Sequence, residues 1–313
     1  MSYFYQAFGF PIVSNIELPS LVTSTEAIHT SQTIYITLGA VPKELSSPPL
    51  LSNEMGSANE SELLLHLPHI ASYYIAQGTH ITVAPEEGTN WEEMLLHLYA
   101  NGFAAILYQR NIIPYHVSGV FINATQVLLF AAPSGTGKST IALMLQQQGY
   151  PIFTDDTAIL RVENAGCWAQ ASYPMIRLWQ NTFEQQSQFI EEDKQRVFSE
   201  LDKYGFSFHK QFKHTDTEVV GIVFLETAGT TIHIEALSKS ACMRLLGQNI
   251  YRVEWINALK KQKLKFEQIT QLAAILPAWK ATRPEGIVTF DSFTSAIESA
   301  IIKPLISAGE RSN

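Results

Sequence analysis

The 313-residue sequence predicts an α/β fold, and three observations carry that prediction. Val127-Leu-Leu-Phe-Ala131 is continuously apolar, as expected of a strand covered on both faces. It runs directly into a glycine-rich turn, Ala132-Pro-Ser-Gly-Thr-Gly-Lys-Ser-Thr140, and then into a helix-forming stretch. Ahead of residue 90 the chain reads as short strands punctuated by turn residues. With about 100–200 residues to a domain, this length allows one large domain or two modest ones. The signals divide it into a strand-rich N-terminal region, 1–110, ending in a helix, and an α/β part, 111–313.

Taken in order, Ile34 to Leu38 and Glu62 to Leu67 alternate or run apolar as strands do, stopped by Gly39 and Pro68. Pro42 to Gly56 is rich in Pro, Ser and Asn and reads as loop. Ser72 to Ala76 and His80 to Val83 flank Gln77-Gly78, a hairpin signal. A helix opens near Thr89 or Asn90, either of which can cap it, with a Glu three residues on. It closes before Asn111-Ile-Ile-Pro114. Tyr115 to Ile122 is a strand, Asn123 to Gln126 a turn, Val127 to Ala131 the buried strand, and Ser139 to Gln148 a helix stopped by Gly149. Pro151 to Thr154 is a short strand ending in Asp155-Asp156. Further on, Glu218 to Leu225 is a buried strand with Thr230 to Leu237 beside it, and Asn257 to Leu276 a lysine-bearing helix. Glu285 to Phe290 closes the strands before a helix near Phe293 to Leu305, whereas Ser187 to His214 is too polar to assign.

Apolar residues make up 46% and charged residues 16%, enough to build a core and the reverse of a disordered chain. The net charge of −8 argues against a nucleic-acid partner, which calls for a basic footprint. Cys167 and Cys242 are far apart with no CxxC, so neither a zinc ribbon nor a disulfide framework is expected. The apolar runs are too short to span a bilayer and the N-terminus lacks a basic-then-apolar leader. A cytoplasmic protein with no membrane partner is the expectation; oligomeric state is open, a homo-oligomer included.

The sharpest chemistry lies in Ser134, Gly135, Thr136, Gly137, Lys138, Ser139 and Thr140. A loop that turns its N–H groups inward around phosphate needs glycines where a Cβ would clash. Lys138 adds a cation for the β- and γ-phosphates, Ser139 a hydroxyl for Mg²⁺, and the helix N-terminus its partial positive charge. The first position of the usual motif is Ala132 in place of glycine. Asp155 and Asp156 stand at a strand mouth, where phosphotransfer needs one carboxylate for the metal and, for an alcohol acceptor, another for its proton. His116 precedes the loop strand with no partner legible in the sequence, and Arg177, within an apolar run, either pairs with an acid or faces phosphate. His66 and His69 are split by Pro68 and lack a third ligand for a metal site.

The order His116-Val-Ser-Gly, Ser134-Gly-Thr-Gly-Lys-Ser, Gly149-Tyr-Pro-Ile-Phe-Thr-Asp155-Asp156 resembles the catalytic domain of HPr kinase/phosphorylase. The shorter HPr-kinase-like proteins of peptide tailoring, lasso-peptide serine kinases among them, are more similar still through Tyr173-Pro174, Arg177-Leu-Trp179 and Asp202-Lys203-Tyr204. The resemblance covers about residues 90 to 179 well and the rest thinly. It implies a phosphoenolpyruvate-carboxykinase-like P-loop fold and an ATP- and Mg²⁺-dependent kinase that phosphorylates a serine or threonine hydroxyl of a peptide or protein. It implies Asp155 as general base, Asp156 and Ser139 on the metal, His116 near the transferred phosphate, and Lys138 on the nucleotide. Arg177 would join the loop as a phosphate or substrate contact, and Lys203 is a second candidate of that kind. The family's metal-binding Glu falls at Met175, and its arginine-rich docking loop is not recognisable, so HPr itself is not the expected acceptor. A kinase of a small hydroxylated metabolite and a nucleotide-binding regulatory module are the other two readings of the same residues.

Overall fold

The computed structural model describes residues 2–26, 28–179, 194–196, 203–209, 212–286 and 289–310. Two nine-stranded sheets and several helices make a mixed α/β fold. In the first sheet the order is 22–23, 3–7, 10–14, 34–38, 80–85, 71–76, 62–67, 56–58, 51–53. Its pairings are antiparallel except on either side of 34–38. The expected hairpin is present: Gln77 and Gly78 both take positive φ, 56° and 64°, which suits a tight two-residue turn between 71–76 and 80–85. The stretch expected to be loop up to Gly56 contains a short strand, Leu51–Asn53, that pairs with Gly56–Ala58 at the sheet's edge.

Asn90 caps the following helix, its side chain accepting from the N–H groups of Glu92 and Glu93. The helix Trp91–His97 continues through a π turn at Leu98–Gly102 into Phe103–Gln109. It buries Met94, Leu95, Leu98, Phe103 and Ile106 in a cluster that takes residues from both sheets. Burial of this kind stabilises by about 1.5–3 kcal/mol per large side chain.

The second sheet runs 114–115, 158–163, 166–171, 217–227, 126–131, 117–121, 152–154, with 278–283 on 217–227 and 233–236 on 278–283. Strands 126–131, 217–227 and 278–283 are mutually parallel, so their carboxyl ends share one edge. Strand 117–121 is antiparallel to both 126–131 and 152–154, which brings His116, just before its start, and Asp155, just after 152–154, to that same edge. Helix Lys138–Gln147 and the C-terminal helix Phe290–Ile297 cover one face through a second cluster that includes Leu128, Phe130, Ile141, Leu145, Phe293 and Ile297. Strands 175–179, 203–207 and 194–196 form a third, small sheet, two of them inside the segment whose sequence was too polar to assign.

Three expectations are corrected. Residues 233–236 do not lie beside 217–227, because 278–283 comes between them. Glu285 to Phe290 is not a strand among its described residues; the strand is Ala278–Arg283, and Phe290 opens a helix. The lysine-bearing helix is two, Glu254–Ala258 and Gln262–Ile275, divided where Lys260 adopts φ 56°. Cys167 and Cys242 are buried free thiols. Among the described residues no helix is long and apolar enough to cross a membrane.

Candidate active site

The strand Gln126–Ala131 delivers the glycine-rich loop to the carboxyl edge of the sheet, the usual place for a ligand on parallel strands. Pro133, Ser134 and Gly135 are exposed at its tip. Gly135 and Gly137 take φ of 84° and 112°, conformations that side chains rarely adopt. A Cβ on Gly137 would also meet the edge of the Phe290 ring at 2.8 Å, so the ring would have to shift to admit one. The helix begins at Lys138, with its free N–H groups facing the loop.

Lys138 is 6% exposed, and its ammonium is turned back onto the loop. Nζ donates to the carbonyl of Ala132 at 2.7 Å and lies 3.0 Å from His116 Nε2. His116 Nδ1 is 2.8 Å from the Asp156 carbonyl and 3.5 Å from its carboxylate. The two contacts assign a neutral tautomer: Nδ1 carries the proton and donates to Asp156, and Nε2 accepts from Lys138. Burial lowers the imidazole's pKa below its ordinary value; Asp156 opposes that and Lys138 adds to it. The unfolded chain therefore takes up a proton more readily than the folded one. The stability that the neutral ring confers is full above the unfolded pKa of about 6.5 and is lost as pH falls toward the depressed folded value. The urea midpoint is expected to fall as pH drops below about 6.5, and to fall less in His116→Gln. Equal slopes in the two proteins would remove His116 as the titrating group.

The two acids face different partners. Asp155, 2% exposed, accepts from the Ser118 hydroxyl and, at 2.8 Å, the Ser139 hydroxyl on Oδ1, and from the Arg177 N–H at 2.9 Å on Oδ2. Asp156 follows in a tight turn: its φ is 69°, and the Thr157 N–H reaches back to the Asp155 carbonyl at 2.9 Å. That turn swings its carboxylate to Arg177 Nη1, at 3.0 Å, and toward His116. Arg177 also donates to the Tyr173 hydroxyl. Burial works against the arginine's charge, but Tyr173 and Asp156 outweigh it and hold its pKa above the ordinary value. Burial pushes the Tyr173 phenol up to about 12, so it stays neutral.

Arg177 thus pairs with an acid, one of the two alternatives open in the sequence. The pair is 11% and 20% exposed, so stripping one partner leaves a largely buried charge. Arg177→Met is expected to cost about 3 kcal/mol. In a double-mutant cycle with Asp156→Asn a large part of that loss should be coupling, read from urea midpoints. A loss under about 1 kcal/mol would class the pair with ordinary surface bridges.

The structure brings together Lys138, Ser139, Asp155, Asp156, His116 and Arg177. The loop residues Ser134 to Thr140 follow the strand as the motif requires. Ser139 meets Asp155, and Asp156 meets Arg177 and His116. Asp202 lies outside the described residues, as do the side chains of Trp179 and Lys203. Three contributors were not singled out in the sequence. Ser118, two residues after His116, holds Asp155. Tyr251, from a distant turn, sets its ring 5.8 Å from that of His116. Arg283, at the carboxyl end of strand 278–283, lies over Phe290 at 4.6 Å, the ring that covers Gly137, and its buried Nε has no hydrogen-bond partner among the described residues. Only Ser118 left a sequence signal, through its place on the histidine's strand.

No group of three or more His, Cys, Asp and Glu among the described residues makes a metal site by itself. Mg²⁺ does not ask for one: it keeps waters and phosphate oxygens and needs only one or two hard protein oxygens. The adjacent Ser139 hydroxyl and Asp155 carboxylate fit that donor set.

No family model matches the chain, and no curated protein does. Among solved structures, the HPr(Ser) kinase/phosphatase from Coxiella burnetii is similar over 63% of this chain and 98% of its own, at 11% identity and a TM-score of 0.32. So loose an overlap has no bearing on activity. The chain is a mixed α/β protein that gathers a glycine-rich loop, a buried lysine and two acids at one sheet edge.

Proposed function

We propose that the protein is an ATP- and Mg²⁺-dependent kinase of the HPr-kinase-like, P-loop type that transfers the γ-phosphate to a serine or threonine hydroxyl of a peptide or protein. A peptide natural product such as a lasso peptide is the acceptor this reading favours. The observation that carries it is the linked set at one edge: Lys138 Nζ 3.0 Å from His116, and Ser139 Oγ 2.8 Å from Asp155.

The loop's N–H groups and Lys138 bind the phosphates, with Lys138 exchanging the Ala132 carbonyl for phosphate oxygen. Ser139 and Asp155 would hold Mg²⁺, which would supply positive charge to offset that of the phosphates. Asp155, fixed by three donors and almost without exposure, suits that part. Asp156, a fifth exposed and beside a neutral histidine, is better placed to take the acceptor's proton, with Arg177 fixing its orientation. This exchanges the parts that the family resemblance implies for the two acids. Arg283, without an acidic partner among the described residues and next to the loop, adds a further cation for the nucleotide.

The test is incubation of the protein with γ-labelled ATP, Mg²⁺ and serine-containing peptides alongside small hydroxylated metabolites. Label on peptide serine or threonine is expected. Label on a metabolite alone would replace the peptide with a small acceptor, and nucleotide binding with no acceptor labelled would leave a regulatory module.

A further inference from the structure

A pocket of about 380 Å³ opens beside the candidate active site, between the first sheet's Asn15–Ser20 turn, the helix Trp91–His97 and strand Met175–Trp179. Ile16, Leu95, Leu96, Tyr99 and Met175 are the buried apolar part of its lining, and Trp91, also lining it, is 49% exposed. Among the described residues its charged lining is Glu17 and Glu92, with no Lys, Arg or His. The Tyr99 hydroxyl is buried beside Ser20, so the ring presents its apolar body to the pocket.

The pocket shares a strand with the arginine that holds Asp156. Met175 and Arg177 are two apart on one strand, so they share a face about 7 Å apart. The Tyr99 ring lies 5.3 Å from that of Tyr173, whose hydroxyl takes Arg177, and Arg177 holds Asp156. A chain bound with its hydroxyl at Asp156 would therefore have the pocket within reach of a few residues.

We infer that the pocket is the acceptor's specificity site, and that it takes a peptide segment bearing a large apolar side chain next to a Lys or Arg. The inference rests on the kinase reading for the word acceptor. The apolar side chain fills the hole against Leu95, Tyr99 and Met175, and the neighbouring cation meets Glu17 and Glu92 at the rim. An extended peptide advances about 3.3 Å per residue, which puts this pair about three to five residues from the phosphorylated serine.

The experiment uses the full chain and three matched peptides with a central serine: one with Trp-Arg four residues away, one with Ser-Arg, and one with Trp-Glu. Binding is measured without nucleotide by calorimetry, and transfer separately with labelled ATP. The Trp-Arg peptide is expected to bind at least about tenfold more tightly than either relative, the size expected for one buried apolar side chain or one charge reversal. Trp91→Ala should lose most of the Trp preference, and the pair Glu17→Gln, Glu92→Gln most of the Arg preference. All three are surface changes with little demand on the core. Equal affinities among the peptides, or preferences untouched by these variants, would overturn the inference even if the protein phosphorylates peptides by another route. Selective binding with no labelled serine would overturn the kinase reading and leave a peptide site.

Discussion

Lys138→Ala is expected to abolish measurable ATP binding and phosphate transfer with it. The ammonium is buried, held at 2.7 Å by the Ala132 carbonyl and at 3.0 Å by His116, and both contacts lie at the turn that would enclose the phosphates. A buried cation satisfied by carbonyl dipoles can exchange them for phosphate oxygens without first being stripped of water. Charge-assisted hydrogen bonds contribute about 1.5–3 kcal/mol each, so two of them account for at least about a hundredfold in Kd. Alanine also leaves His116 Nε2 and the Ala132 carbonyl without their donor, which disturbs the loop itself. Lys138→Met separates the two effects, since it keeps the bulk of the stem and removes the charge. Calorimetric titration with ATP is the measurement, with urea midpoints as the control for folding. A Kd within about threefold of the wild type in both variants would remove the loop as a phosphate site.

What the sequence made legible was local. The buried strand, the glycines at positive φ, the helix that follows and the acid pair each announce themselves within a few residues. The partners did not, because they come from far along the chain: Ser118 reaches Asp155 across 37 positions, Tyr251 arrives from a turn and Arg283 from the end of a strand. Arg177 was visible as an oddity in an apolar run, but its choice of Asp156 depends on a turn that no composition rule predicts. The missed strand Ala278–Arg283 carries Lys280 and Arg283, poor strand signals, and Lys280 is tolerated because Glu226 lies 2.6 Å away on the adjacent strand. The break at Lys260 had neither glycine nor proline to mark it. Residues Lys239–Gln248 form a helix that Ser238 caps, and the serine is its only local mark in an otherwise mixed stretch.

The two acids are expected to fail in different ways when each is replaced by asparagine. In Asp155→Asn the amide oxygen can keep the Arg177 N–H, and the amide nitrogen then faces Ser118 and Ser139, whose hydroxyls must turn from donating to accepting. The contacts to a charged oxygen become neutral ones, at about 1 kcal/mol of stability or more, and the loss of a negative oxygen beside Ser139 weakens the hold on Mg²⁺. The variant should need at least about tenfold more Mg²⁺ for half-maximal transfer, with residual turnover at saturation, a size that corresponds to one lost charged contact. Asp156→Asn keeps its hydrogen-bonding shape toward Arg177 and leaves Ser139 and Asp155 untouched. Its Mg²⁺ requirement should stay near the wild-type value while the rate falls by about 10²–10⁴, the contribution of a general base. Nucleotide affinity in this variant should be largely preserved, because Lys138 keeps the Ala132 carbonyl and the loop keeps its turn. The opposite pattern, with Asp156→Asn shifting the Mg²⁺ curve and Asp155→Asn collapsing the rate alone, would return the base to Asp155 and the metal to Asp156.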